Sequence, residues 1–192
     1  MQSTDESLIN AHCRGELTAF AELVRRYGGS ILRYLTRMSG NREQADDLFQ
    51  ETFKRVHEKA HTFRGSRFKP WLFTIATRVA VDGLRKRRRL RVLSMNEKSD
   101  CGEKSGSGLD AVAVADNSFN PSEEAEKAER AEQVRQTIGL LPAKQRATLV
   151  LAYYQQLTYR EVAEVLGCSI GTVKVQMYRA LRTLARKLPD IS

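Results

Sequence analysis

Apolar residues recur at helical spacing along most of this chain, and no useful length of it alternates as a strand does. Phe20, Leu23, Val24 and Tyr27 stand at i, i+3, i+4 and i+7, the stripe that one face of an α-helix buries. Ile31, Leu32 and Leu35 carry the stripe towards Gly40, and Gly28-Gly29 is expected to stop or kink that helix. Ala45, Leu48, Phe49, Thr52, Phe53 and Val56 line a second helix, with Asn41 as its expected cap and Gln44 reaching back as in a capping box. Pro70 marks a helix start, and Trp71, Leu72, Ile75, Ala76, Val79 and Leu84 line that helix down to a basic end at Arg91. The spacing predicts an all-α fold.

Charge divides the chain into three. Residues 1–95 hold 19 basic and 10 acidic side chains, 96–135 hold 5 and 10, and 136–192 hold 8 and 3. Two basic blocks thus flank an acidic one, as in two polyanion-binding modules joined by a segment that polyanions repel. Ser94–Asn120 is rich in Gly, Ser, Asp and Asn and has no sustained period, so it reads as a flexible linker. A hydrophobic content of 41% suits two small helical cores. The expected organisation is two small helical domains, residues 8–92 and 121–188, joined by an acidic linker over 93–120.

Several function classes fall away. No apolar run approaches the roughly 18 residues of a membrane span, so membrane insertion is not expected. The N-terminus carries Asp5 and Glu6 and lacks an apolar signal core, which argues against export. Cys13, Cys101 and Cys168 are far apart and outside any C-x-x-C pattern, which disfavours disulfides and a Cys-rich zinc site and fits a reducing cytoplasm. His12, His57 and His61 lack metal-ligand spacing, and no nucleophile–base set can be drawn, so no cofactor, no metal and no enzymatic activity are expected.

Two stretches carry chemistry. Between Arg85 and Arg91 six of seven residues are basic; they surround the helix end and suit phosphate neutralisation, although a solvated helix C-terminus also favours cations. In the C-terminal block, Asn120-Pro121 followed by Glu123 reads as a helix start, and Pro142 breaks that helix after Leu140-Leu141. Thr158 with Glu161 then makes a capping box, Val162, Ala163 and Leu166 supply a buried face, and Gly167 suits a left-handed turn. Ser169 caps a last helix, with Ile170, Val173, Met177, Leu181 and Leu184 expected inward. Thr172, Lys174, Val175, Gln176, Tyr178, Arg179 and Arg182 are expected outward. Two short helices joined by a glycine turn, the second basic outside, make a helix-turn-helix whose Lys, Arg and Gln suit phosphates and base edges.

Together these blocks resemble the extracytoplasmic-function (group IV) sigma factors of bacterial RNA polymerase. Ala45–Phe53 resembles the family's core-polymerase-binding segment, Phe63–Gly65 with Trp71-Leu72, Ile75-Ala76, Asp82 and Arg85 the segment that reads and opens the −10 element, and Pro142 with Thr158–Leu181 the −35-binding domain. The resemblance implies a factor that binds core RNA polymerase, through the clamp helices of its largest subunit and the β flap, and directs initiation at promoter DNA. It implies polymerase contacts at Asp46, Asp47, Leu48, Gln50, Glu51 and Phe53. The −10 contacts would be Phe63, Arg64, Lys69, Arg78, Asp82, Arg85 and Lys86, with a flipped base held near Phe63–Lys69. The −35 contacts would be Ser169, Thr172, Lys174, Val175, Gln176, Tyr178 and Arg179. An anti-sigma factor is the regulator it implies. On spacing alone Phe63 suits a core as well as a base pocket, and Trp71 suits packing between helices. Arg78 stands where the family commonly has Asn, His57 where it often has Trp, and Val175-Gln176 where Ser-Arg is common.

The rival reading is a helix-turn-helix regulator acting without core polymerase; it would normally place an α/β receiver or ligand domain in front, where this chain is helical. A recombinase would need a mixed-sheet catalytic domain. A pure adaptor leaves the Arg85–Arg91 run unexplained.

Overall fold

Thr4 opens the first helix: its hydroxyl accepts the Ser7 N–H at 3.2 Å, and α1 (Asp5–Cys13) follows. The computed structural model describes residues 3–65, 67–97 and 121–188. α2 (Leu17–Ser39), α3 (Arg42–Lys59) and α4 (Phe68–Glu97) complete the first half. α5 (Pro121–Gly139), α6 (Ala143–Leu149), α7 (Tyr159–Leu166) and α8 (Ile170–Lys187) make the second. Among the described residues there is no strand, and the fold is all-α in two regions, as the spacing predicts. The segment read as a linker, the cap at Asn120 and Cys101 lie outside the described residues, apart from the start of that segment, which belongs to α4.

The first half is a bundle closed over Leu23, Ile31, Leu35, Met38, Val56, Leu72 and Phe73, all of them buried. Each such side chain contributes roughly 1.5–3 kcal/mol by leaving water. Tyr34 is fully buried as well, and it shares a 2.7 Å hydrogen bond with Thr77 across the α2–α4 contact. That bond matters because an unmet hydroxyl there would cost about 1–3 kcal/mol. In the second half, Leu141, Val150, Leu151, Val162, Val173 and Ala180 form the corresponding core.

Four local expectations change. Gly28-Gly29 does not stop α2, which runs through both; Gly28 is buried against the Phe49 ring of α3, where a Cβ would make an ordinary van der Waals contact at 3.5 Å. Asn41 does cap α3, accepting the Gln44 N–H at 2.9 Å, but the Gln44 side chain turns away and accepts Arg87 Nη1 at 2.7 Å instead. Pro70 is the third residue of α4, where its missing N–H costs nothing, and α4 continues past the basic run to Glu97. On α8, Val173 and Met177 are buried and Leu184 packs against the core, whereas Ile170 and Leu181 are 44% and 51% exposed. A short two-helix support covers only part of that stripe.

α6 widens into a π turn over Val150–Tyr154, closed by the Gln155 N–H on the Val150 carbonyl at 3.1 Å. The chain then reverses through Gln156, which takes a left-handed φ of 54°. The two halves touch along α2 and α4 on one side and α5, the π turn and α7 on the other. At the centre of this contact the Arg146 guanidinium is buried, donating to the Met38 carbonyl at 2.5 Å, to Leu141 O at 3.1 Å and to Gly139 O. It therefore caps the last turns of α2 and α5 together, where helix dipoles favour a cation. Burial without a carboxylate holds its pKa below the ordinary arginine value.

Candidate functional site

Three surfaces gather the residues singled out from the sequence. The first is α3. Asp47 and Gln50 are exposed, while Asp46 and Glu51 are half-exposed and ion-paired along the helix to Arg42 at 3.4 Å and Arg55 at 2.6 Å. Leu48 and Phe53 are 8% and 7% exposed, so they belong mainly to the core and offer a docking partner little surface. Leu48 instead seats α4: a Cβ on Gly83 would stand 2.9 Å from Leu48 Cδ2, so the helices cross closely there. Beyond the crossing an open cleft of about 470 Å³ separates Glu43 and Asp47 from Lys86 and Arg87.

The second surface begins where α3 ends. A single 3-10 turn (Ala60–Thr62) leads into Phe63, which is half-buried and meets Phe68 and Trp71 edge to face at 5.8 and 5.3 Å between centroids. Such contacts fix a ring while leaving one side of it free. A cavity of about 340 Å³ opens beside it, walled by Phe63, Arg64, Pro70, Trp71 and Thr74. Thus Phe63 and Trp71 serve both packing and pocket. From this pocket the face of α4 continues through Arg78, Asp82, Arg85 and Arg89, each exposed and each three or four residues after the last. Lys86 is exposed on the flank, and Asp82 lies 3.8 Å from Arg55 of α3. Lys69 points elsewhere: its ammonium donates to the Gln155 carbonyl at 2.8 Å.

The third surface is α8. The capping box of α7 is complete, with Thr158 N–H on Glu161 Oε2 at 2.9 Å and Glu161 N–H on Thr158 Oγ1 at 3.3 Å. The Thr158 hydroxyl, which donates to Glu161 Oε2 at 2.8 Å, and secondly the Thr158 N–H hold the Glu161 carboxyl below its usual pKa. Gly167 ends α7 at φ 62°, the left-handed conformation in which a side chain would be strained. Ser169 then accepts the Thr172 N–H at 3.1 Å, which fixes the start of α8 and occupies the serine hydroxyl. Thr172, Lys174, Val175, Tyr178, Arg179 and Arg182 project into solvent, and Gln176 is half-buried. A surface helix with that outer face, held by a shorter helix across a glycine turn, has the geometry of a recognition helix.

The family model of sigma-70 region 2 matches residues 23–90, and that of sigma-70 region 4 matches residues 131–184. The chain is 31% identical over 179 residues to the ECF RNA polymerase sigma factor SigW of Bacillus subtilis (strain 168), covering 93% of each. It belongs to the extracytoplasmic-function (ECF) sigma factors. It is also 29% identical to the RNA polymerase sigma-H factor of Pseudomonas aeruginosa over 191 residues, 99% of this chain and 96% of that one. In fold, this ECF chain resembles the RpoE sigma factor solved in complex with the anti-sigma factor NepR from Bartonella quintana. The TM-score is 0.68 at 23% identity, over 92% of this chain and all of the other. The region 2 match runs from α2 to the basic end of α4, and the region 4 match from α5 to α8, so the three surfaces lie within matched sequence.

The structure adds residues that the sequence reading left out. Pro70 and Thr74 line the pocket beside Arg67 and Trp71, which that reading had placed in the −10 segment; Thr74 lies four residues before Arg78, so helical spacing alone could have included it. Glu164 also borders the pocket, but it comes from α7, and no local pattern signals it. Among the described residues no group of three or more His, Cys, Asp or Glu could hold a metal ion, and no helix is long and apolar enough to cross a membrane.

Proposed function

We propose that this chain is an alternative sigma factor that docks on core RNA polymerase through α3 and brings two DNA-reading surfaces to a promoter. The observation that carries the reading is the unbroken face of α4, where an aromatic pocket passes directly into exposed Arg78, Arg85 and Arg89. Opening a duplex costs a few kcal/mol per unstacked base, so a protein that melts DNA needs a stacking pocket beside a phosphate-binding track. α4 offers both on one rigid element. The acidic side chains Asp47 and Glu51 on α3 suit the basic clamp helices of the polymerase largest subunit, and α8 suits the major groove at the −35 element. The family is not one of enzymes; on this reading catalysis belongs to the polymerase, the chain works in the cytoplasm, and an anti-sigma factor restrains it.

Run-off transcription on genomic fragments tests this. Core enzyme supplied with the chain is expected to start at a new, restricted set of sites. Charge reversal at Asp47 and Gln50→Lys together are expected to weaken polymerase binding at least about tenfold, since like charges across an interface cost several kcal/mol. A chain that binds DNA yet never changes start-site choice would instead be a regulator acting without core polymerase.

A further inference from the structure

The outermost line of α8 offers no polar side chain over its first two turns. Opposite the buried Val173, Met177 and Ala180 it runs through Gly171, Val175, Tyr178 and Arg182, spaced four, three and four residues apart and all exposed. Lys174 and Arg179 flank this line, and the Thr172 hydroxyl turns back to share a 3.0 Å hydrogen bond with Ser169 Oγ. The fold does not account for the glycine. Gly171 lies within the helix, and a Cβ there would meet only Ser169 Oγ, at an ordinary 3.6 Å. Alanine would fit and would favour the helix, so nothing inside the chain asks for glycine. What glycine supplies is a close approach of the backbone to a body outside. One turn on, Val175 is 48% exposed and has no donor or acceptor on its side chain.

We propose that Gly171 and Val175 form a thymine-reading notch: the glycine lets the helix backbone approach the major groove, and the valine methyls meet the C5 methyl of one thymine in the −35 element. The proposal rests on the reading of α8 as the −35 helix. The choice of base follows from chemistry. Adenine, guanine and cytosine are recognised in the major groove by donors and acceptors, none of which valine can satisfy, whereas thymine adds an apolar group. A polar base edge pressed against Val175 would lose its water without gaining a partner, so the valine selects by penalty as well as by contact. Position agrees with this. A recognition helix reads bases with its N-terminal residues, and Gly171 and Val175 are the second and sixth residues of α8. Tyr178 and Arg182, one and two turns farther along, are left for sugar and phosphate.

Deoxyuridine tests the notch, because it pairs as thymidine does and lacks only the C5 methyl. Holoenzyme reconstituted from core polymerase and the full chain is bound to a promoter found by run-off transcription, with each thymine of the −35 element, on either strand, replaced in turn. One replacement, or two at neighbouring positions, is expected to weaken binding about fourfold, the effect of returning one methyl contact to water. Val175→Ser is an exposed change that leaves the fold in place, and it is expected to bind the thymine and uracil promoters equally. Gly171→Ala separates fold from function by sign. It is expected to raise the thermal midpoint of the free chain by about 1–3 °C. In holoenzyme the same variant is expected to weaken promoter binding at least about fivefold, since the added methyl stands in the notch. A −35 element without a T·A pair, uracil replacements that all leave binding unchanged, a uracil effect that persists in Val175→Ser, or Gly171→Ala holoenzyme that binds as the parent does would each overturn the notch. Where parental holoenzyme still initiates, those outcomes leave the sigma-factor reading standing. If parental holoenzyme never initiates, the reading on which the notch rests fails, and the notch with it.

Discussion

His12 is buried where α1 meets α2 and α3, stacked on Phe20 at 4.6 Å and sharing a 3.1 Å hydrogen bond between its Nε2 and His57 Nδ1. Its Nδ1 has no partner, and burial, with the His57 charge second, holds its pKa below the ordinary value of 6.5. A base whose folded pKa is lowered is favoured neutral in the native state, so the unfolded chain takes up the proton first as pH falls. The stability this residue provides is present above about pH 6.5 and declines on acidification. Urea unfolding at about pH 7.5 and about pH 5.5 is therefore expected to show a lower midpoint in acid. His12→Phe, which keeps the stack on Phe20, is expected to flatten part of that difference; an unchanged slope would place the acid sensitivity elsewhere.

At the scale of elements, the proposed reading has α8 and the end of α4 divide the labour of DNA binding. A side chain that reads a base edge contributes about 1–3 kcal/mol of discrimination, whereas one that meets a phosphate contributes affinity without sequence. Lys174→Ala and Arg179→Ala are expected to flatten preference at one or two −35 positions in binding of holoenzyme to single-base variants. Neutralising Arg85 and Arg89 is expected to weaken all promoters alike and to make the salt dependence shallower by about one unit per lost contact. If the effects are exchanged, the roles are reversed. How much of these elements was legible beforehand depended on how local their causes are. The α7 capping box, Gly167 and the Ser169 cap follow from residues three or fewer positions apart, and each is present as read. On α3 the stripe of Ala45, Leu48, Thr52, Phe53 and Val56 is buried as its spacing predicts, and it was the family resemblance, not the period, that also put Leu48 and Phe53 on a docking face. Gln44 stood in the capping-box position but found Arg87, 43 residues away, a better partner. Glu164 on Arg67 spans 97 residues, and nothing near either one announces the pairing.

Over the whole molecule, the buried Arg146 links stabilities that would otherwise be separate. Arg146→Met leaves the carbonyls of Met38, Gly139 and Leu141 without their donor, at about 1–3 kcal/mol for each that water cannot reach, partly offset by no longer burying a charge. The parent is expected to melt in a single calorimetric transition and the variant in two, the second half first; a single transition at an unchanged temperature would show that the contact couples nothing. α4 carries a consequence of another kind. Its 30 residues run without a break, about 45 Å from the loop that holds the aromatic pocket to Glu97, which is close to the length of 13 base pairs. One residue gained or lost within it would turn the basic end by about 100° against the pocket wall and carry Arg85 and Arg89 off the line that Trp71 and Arg78 begin. On the proposed reading the helix is a ruler: between an unstacked base at the pocket and phosphates farther along the duplex it would admit one spacing, and tolerance for inserted bases would lie outside the stretch it spans.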